Sequence, residues 1–212
     1  MDTNKRHLNF FSHPSYVSFD TKAGVLTTRG GTRLCALNED FLRGFFGSCE
    51  HETGPAAGAI LKRCGVVFGG RLANRFETEI SQFADVSVRD RAMYEFDTLL
   101  RDIWSAYGMG TLSIDWDTQR GASYVSVTLR NSPVLDIKLQ DREHDDLMAG
   151  VLEGFFNHFS PKPVECVQTT FASNMAEDET RFVVIEASAA NEVRNRVERG
   201  ETHDAVITKL AS

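Results

Sequence analysis

Residues 55–80 carry Ile60, Leu61, Cys64, Phe68 and Leu72 at helical spacing, yet the same stretch holds Ala56, Ala57, Gly58, Ala59, Gly65, Gly69 and Gly70. Each interior glycine costs a helix about 1 kcal/mol relative to alanine. A helix that bears this cost leaves bare backbone along one side, which suits something packed closely against it: a neighbouring helix, a partner subunit or a flat ligand. The alternative is a helix that breaks at Gly69 and Gly70. Pro55 is placed where a first helical turn accepts proline.

The segments around it set the fold class. Residues 1–13 read as a loose arm, and residues 16–37 as a small hairpin turning at Lys22, Ala23 and Gly24. Asn38 followed by Glu39 and Asp40 starts a helix with Phe41, Leu42, Phe45, Phe46 and Cys49 on one face. Ser87 and Asp90 resemble a capping box, followed by Met93, Phe96, Leu99, Leu100, Ile103, Trp104 and Tyr107 at period 3.6, with Gly108 suited to a left-handed cap. Residues 111–116 and 123–130 read as an antiparallel pair turning at 118–121, with Val125, Val127 and Leu129 on the buried face and Tyr124, Ser126 and Thr128 on the other. A helix over 145–159 buries Leu147, Met148, Val151, Leu152, Phe155, Phe156 and Phe159 until Pro161 stops it. Strands follow at 164–171 and 181–187, and residues 190–212 read as a charged surface helix with a frayed tail. Elements grouped in blocks predict α+β with an antiparallel sheet and helices packed on it, rather than a doubly wound parallel sheet. The expected organisation is an arm and hairpin over 1–37, one α+β domain over 38–187 and a charged extension over 188–212.

A surplus of 30 acidic over 23 basic side chains gives a net charge of −7, which repels phosphate backbones and anionic headgroups. Nucleic acid is therefore not an expected partner. No apolar run reaches the roughly 18 residues that span a bilayer, and the first ten residues lack the apolar core of a signal peptide. A cytoplasmic protein without membrane insertion is expected. Cys35, Cys49, Cys64 and Cys166 are widely spaced, with no paired motif, so reduced thiols are expected rather than a disulfide framework or zinc ribbon.

Motifs for nucleotide binding, serine hydrolysis and zinc proteolysis are missing from the sequence. His144, Asp145 and Asp146 read as a solvated helix start, and Glu177, Asp178 and Glu179 as a solvated acidic loop without calcium spacing. His158, Glu165 and Cys166 could approach one another as metal ligands, but Glu165 and Cys166 face opposite sides of a strand. No acid and base pair stands out, no cofactor is implied, and an enzyme is the weakest class.

The run from Ala57 through Gly58, Ile60, Lys62, Cys64, Gly65 and Phe68 to Gly69, the segment Tyr107-Gly108-Met109-Gly110-Thr111-Leu112, and Met148-Ala149-Gly150-Val151-Leu152-Glu153-Gly154-Phe155-Phe156 together resemble the 4-vinyl reductase domain family over about residues 35–187. That family is related in fold to small subunits of the TRAPP tethering complexes. The resemblance implies helices on an antiparallel sheet, commonly a dimer, around a pocket for a flat or hydrophobic ligand, in a bacterial setting. Where metal-binding members carry Glu and Cys, this chain offers Gln168, Phe171 and Thr180, and Leu147 near the start of that helix, so no thiolate zinc site is implied. A second resemblance, over Ile60 to Arg75, Phe96 to Trp104 and Val151 to Phe155, is to the ring-forming D subunit of bacterial cellulose synthase.

The expected function is thus a non-catalytic, homodimeric module holding a hydrophobic or aromatic small molecule between the glycine-rich helix and the 147–159 helix. Gly58, Gly65, Phe68, Trp104, Phe155 and Phe156 are its candidate ligand-binding residues. A scaffold subunit that self-associates without a ligand is the alternative.

Overall fold

Four antiparallel strands form the sheet on which the rest is built: β4 (Thr111–Asp115), β5 (Tyr124–Arg130), β6 (Val164–Gln168) and β7 (Glu179–Glu186), in the order β4-β5-β7-β6. The computed structural model describes residues 9–84, 87–116, 124–134, 145–170 and 179–211. His144, Phe171, Glu177, Asp178 and the turn expected at 118–121 lie outside them. Before the sheet come β1 (Val17–Asp20), β2 (Val25–Thr28) and β3 (Arg33–Leu34), then α1 (Glu39–Thr53), α2 (Ala57–Ala84) and α3 (Met93–Ala106). The helix α4 (Asp146–Phe159) lies between β5 and β6 in sequence, and α5 (Ala190–Glu198) and α6 (His203–Leu210) follow β7. The fold class is α+β, an antiparallel sheet with helices packed on it.

Local signals act where the sequence puts them. Asn38 accepts from the amide of Phe41 at 3.0 Å to start α1, and Gly108 adopts φ +69 after α3. Ser87 caps a single 3-10 turn over Val88–Asp90 rather than α3 itself, which begins after Ala92 without a side-chain cap. The expected hairpin is a three-stranded meander, because Leu26 and Thr27 also pair with Leu34 and Arg33.

Helix α2 runs unbroken through Gly69 and Gly70, and its bare side is met by the bare side of α4. A Cβ on Gly65 would fall 2.8 Å from the Val151 amide nitrogen and 2.9 Å from Gly150 Cα, and one on Gly69 would fall 2.9 Å from the Phe155 amide nitrogen. Reciprocally, a Cβ on Gly150 would sit 2.9 Å from the Lys62 carbonyl carbon, and one on Gly154 would sit 2.9 Å from the Gly70 nitrogen. Two glycine pairs spaced four apart therefore interlock backbone to backbone, so of the three partners the sequence allows, a neighbouring helix is the observed one. Around this contact Leu61, Leu72, Phe76, Leu99, Ile103, Trp104, Phe155 and Phe182 form the main core.

Residues 9–13 of the arm and the described C-terminal segment pack more than their composition implies. Phe10 and Phe11 are buried, Phe11 stacked on Phe76 at 5.6 Å between centroids, so these two rings anchor residues 9–13 to the core. Ala190, Val193 and Val206 line one side of α5 and α6 and cover Tyr124, Val167, Val183 and Ile185 on the outer face of the sheet. That face, expected to be the open one, is buried, and the charged residues of the segment occupy the opposite side of the two helices.

If the glycine contact holds α2 to α4, Gly65→Ala and Gly154→Ala should each lower the unfolding free energy by about 2 kcal/mol or more, as overpacking against backbone does. Gly44→Ala in α1, where an added Cβ meets nothing within 4 Å, should instead raise it by up to about 1 kcal/mol. Urea denaturation of the three variants checks the opposite signs.

Candidate functional site

The space expected to hold a ligand, between the glycine-rich helix and α4, is filled by backbone. Gly65 is buried in that contact, and no molecule fits where a methyl group does not. Room lies on the other side of α4, in a cavity of about 560 Å³ between the C-terminal half of the helix and the inner face of the sheet. Its floor is Val125 of β5, Val184 of β7 and Val164 of β6; Phe156 and Phe159 of α4 form the roof. Met93 and Phe96 of α3 and Trp116 close one end, while Val88, Arg89, Arg91 and Pro161 form the rim. The volume and the mostly apolar walls suit a small organic molecule.

The six candidate residues separate on folding. Phe156 lines this cavity. Phe155, one position back and so about 100° around the helix, turns into the core, with its ring 5.7 Å from Phe76 and 6.5 Å from Phe96. Trp104 is fully buried and donates its indole N–H to the carbonyl of Met109 at 2.8 Å, fixing the turn after α3. Phe68 lines a wider groove of about 1080 Å³ on the opposite side, between α2, the meander and the end of α3, where its ring meets Tyr107. Gly58 is half-buried near the start of α2 and lines neither space.

Polar groups around the cavity are mostly engaged. Trp116 donates its ring N–H to Asp97 at 2.9 Å, and Asp97 also pairs with Arg101 at 2.9 Å. Arg89 donates to Glu77 at 2.8 Å and to the carbonyl of His158 at 2.9 Å, and lies over the Phe159 ring. His158 contacts the same Glu77 at 2.6 Å; these two donors hold the Glu77 carboxyl below its usual range. Arg91 reaches Glu95 one turn on at 3.3 Å, and the side chains of this pair are only 4% and 10% exposed. Tyr94 donates a further hydrogen bond to Glu95 at 3.2 Å. The sequence signal for Arg91 is slight, a charge one residue beyond the capping turn; Met93, Trp116, Val125 and Phe159 were legible only as apolar positions.

His158, Glu165 and Cys166 do not gather. His158 goes to Glu77, Glu165 pairs with Arg194 of α5, and Cys166 is buried, its thiol pKa pushed up by desolvation. Among the described residues no group of three or more His, Cys, Asp or Glu side chains is placed to hold a metal ion. Gln168 and Thr180 are buried, and Gln168 accepts from the amide of Asp145 at 2.7 Å. Asp145 itself, read as solvated, is buried: it accepts from the Met148 amide at 3.1 Å and the Ser132 hydroxyl at 3.0 Å, and burial pushes its pKa up to about 6.

No protein-family model matches this sequence, and no curated protein does. Solved structures do match its fold. The phenol-responsive sensory domain of the transcription activator PoxR, solved with phenol, superposes with a TM-score of 0.69 at 13% identity over 95% of this chain and 98% of that one. A trafficking protein particle complex subunit 3 from Naegleria fowleri, covalently bound to palmitic acid, gives 0.50 at 17% identity over 70% and 94%. A vinyl-4-reductase family protein from Methanocaldococcus jannaschii gives 0.47 at 16% identity over 73% and 84%. The likeness is one of fold. Among the described residues no helix is long and apolar enough to cross a membrane.

A second buried titratable group lies behind the sheet. His203 at the start of α6 has Ser126 Oγ 3.0 Å from Nε2 and Thr169 Oγ1 2.6 Å from Nδ1, and burial followed by the nearby Arg181 pushes its pKa down to about 4. Folding favours the neutral ring, so its contribution is complete above the unfolded value near 6.5 and is lost as pH falls toward about 4. Asp145, raised to about 6, has the opposite sign, favouring the fold below about 3.8 and losing that as pH rises through 6. The wild-type profile therefore mixes both. The difference in unfolding free energy between wild type and His203→Gln should grow by roughly 2 kcal/mol from about pH 4.5 to about pH 7, measured by urea denaturation; a difference flat with pH would show an unperturbed histidine.

Proposed function

We propose that the chain is a non-catalytic binding module for a hydrophobic small molecule, held in the cavity between α4 and the sheet, and that it works as a homodimer. The observation that carries the ligand reading is the cavity of about 560 Å³ with valine and aromatic walls between α4 and the sheet. Support comes from a fold shared along nearly its whole length with a sensory domain solved with phenol. The ionisable side chains at the rim are held in ion pairs, Arg89 with Glu77 and Arg91 with Glu95, which suits holding a molecule rather than transforming it.

Self-association is supported by exposed apolar side chains, Leu37, Ile60 and Val67 at the wider groove and the stacked pair Phe41 and Phe45 on α1. Phe41 and Phe45 of α1 are 52% and 51% exposed and Val67 of α2 is 52%, with Leu37 and Ile60 between the same elements. Large exposed apolar side chains in such number are a usual mark of an interface.

Placing an indole into the cavity floor tests the ligand reading. Val125→Trp should weaken binding of the neutral dye Nile red by 10-fold or more while the far-ultraviolet circular dichroism stays native; equal affinity in the variant would remove the cavity as the site. Light scattering tests the assembly. The wild type should run as a dimer and Phe41→Glu/Phe45→Glu as a monomer, whereas a stable ring larger than a dimer would favour a scaffold.

A further inference from the structure

Among the described residues of the cavity wall, the Arg91 Nε and the Tyr124 hydroxyl are buried without a hydrogen-bond partner. The Arg91 side chain is 4% exposed, and its Nη1 reaches Glu95 at 3.3 Å. A guanidinium presents five N–H donors and no acceptor, and a buried donor left unmade is costly enough to need a reason. The extended backbone of Arg91 and Ala92, between the 3-10 turn and α3, holds this side chain at the cavity wall.

Three other polar side chains around the space are engaged within the protein. The Trp116 N–H is given to Asp97. Arg89 is a donor held by Glu77 and the His158 carbonyl. The Ser160 hydroxyl donates to the Lys162 carbonyl and accepts from the Lys162 amide. Tyr124 contributes to the wall and its hydroxyl too is buried without a partner, but its ring packs in the apolar cluster on the outer face of the sheet, away from α4.

We infer that Arg91 makes this cavity selective for an aromatic molecule carrying a neutral acceptor oxygen, a ketone, aldehyde or ester carbonyl, received by the free Nε–H. This rests on the cavity reading above and adds the chemical class of the ligand. The charge of Arg91 is already matched by Glu95, so a carboxylate ligand would bring a second, uncompensated anion between apolar walls. A hydrocarbon leaves the buried donor unpaired, and an acceptor completes it; sites built around a buried polar group discriminate strongly against analogues that lack the partner.

Equilibrium dialysis with three probes of one shape tests this: 2-acetylnaphthalene, 2-ethylnaphthalene and 2-naphthoate. The ketone should bind the wild-type protein at least 10-fold more tightly than the hydrocarbon and the carboxylate. Arg91→Met paired with Glu95→Gln avoids stranding a buried carboxylate, and in it the ratio of ketone to hydrocarbon affinity should fall to about one. Ketone and hydrocarbon binding the wild type equally would overturn the role of Arg91 and leave the cavity reading standing. Tightest binding of 2-naphthoate would overturn the neutral class. Retention of none of the three would overturn the cavity reading and this inference with it.

Discussion

The contact between α2 and α4 fixes where everything else in this protein can go. Backbone meets backbone at Gly65 and Gly69 on one helix and Gly150 and Gly154 on the other, with no side chain between them. Glycine is poor in a helix because its unfolded backbone is freer, so this contact is favourable only as dispersion and burial gained over a long, close approach. Side chains excluded from the seam gather at its edges. Beside it, Lys62 pairs with Glu153 at 2.9 Å and donates to the carbonyl of Cys166 at 3.2 Å, while Glu153 accepts from the Cys166 amide at 3.1 Å. One ion pair thus ties both helices to the edge strand β6 and satisfies backbone groups that the sheet leaves open.

The N-terminal meander is fastened to the same long helix by a different device. The Tyr16 hydroxyl donates to Glu79 at 3.0 Å, and burial raises the Glu79 carboxyl above its usual range. The glutamate lies against Gly30, where a Cβ would come within 2.6 Å of its carboxyl carbon. Phe10 and Phe11 then pack around Tyr16, so a strip that looks loose in sequence is anchored by three aromatic rings and one buried acid.

Sequence reasoning reached the elements whose signals are local. Asn38, Gly108 and Pro161 work through their own backbone conformation or a hydrogen bond within one turn, and the period of α3 and α4 is visible without knowing their neighbours. It also read Gly65 and Gly69 as bare backbone awaiting a close partner, though three kinds of partner fitted. What it missed depends on contacts distant in the chain. Asp145 looks like any acidic helix start until Ser132 and Gln168 close over it, and Val193 and Val206 look sparse among charges until the outer face of the sheet is there to receive them. The cavity was illegible for the same reason. Phe155 and Phe156 are equivalent as letters, and only the rotation of α4 about the glycine seam sends one to the core and the other to the open space.

Pairing register explains why that space stays open. On the inner face of the sheet Val125 stands opposite Val184, and Val184 opposite Cys166, with Val164 at the start of β6; here β5, β6 and β7 present only small side chains. Two residues along, Val127 faces Phe182, and beyond it Leu129 pairs with Leu112 of β4, so the larger side chains reach the helices and fill the layer. Because α4 is held at a fixed distance by its contact with α2, it cannot settle onto the valine end to close the gap. The gap is bounded instead by the rings of Phe156 and Phe159 and by Arg91, whose Nε is buried without a partner. A rigid helix pair over a floor of short side chains is thus how this sequence keeps a cavity that collapse would otherwise remove.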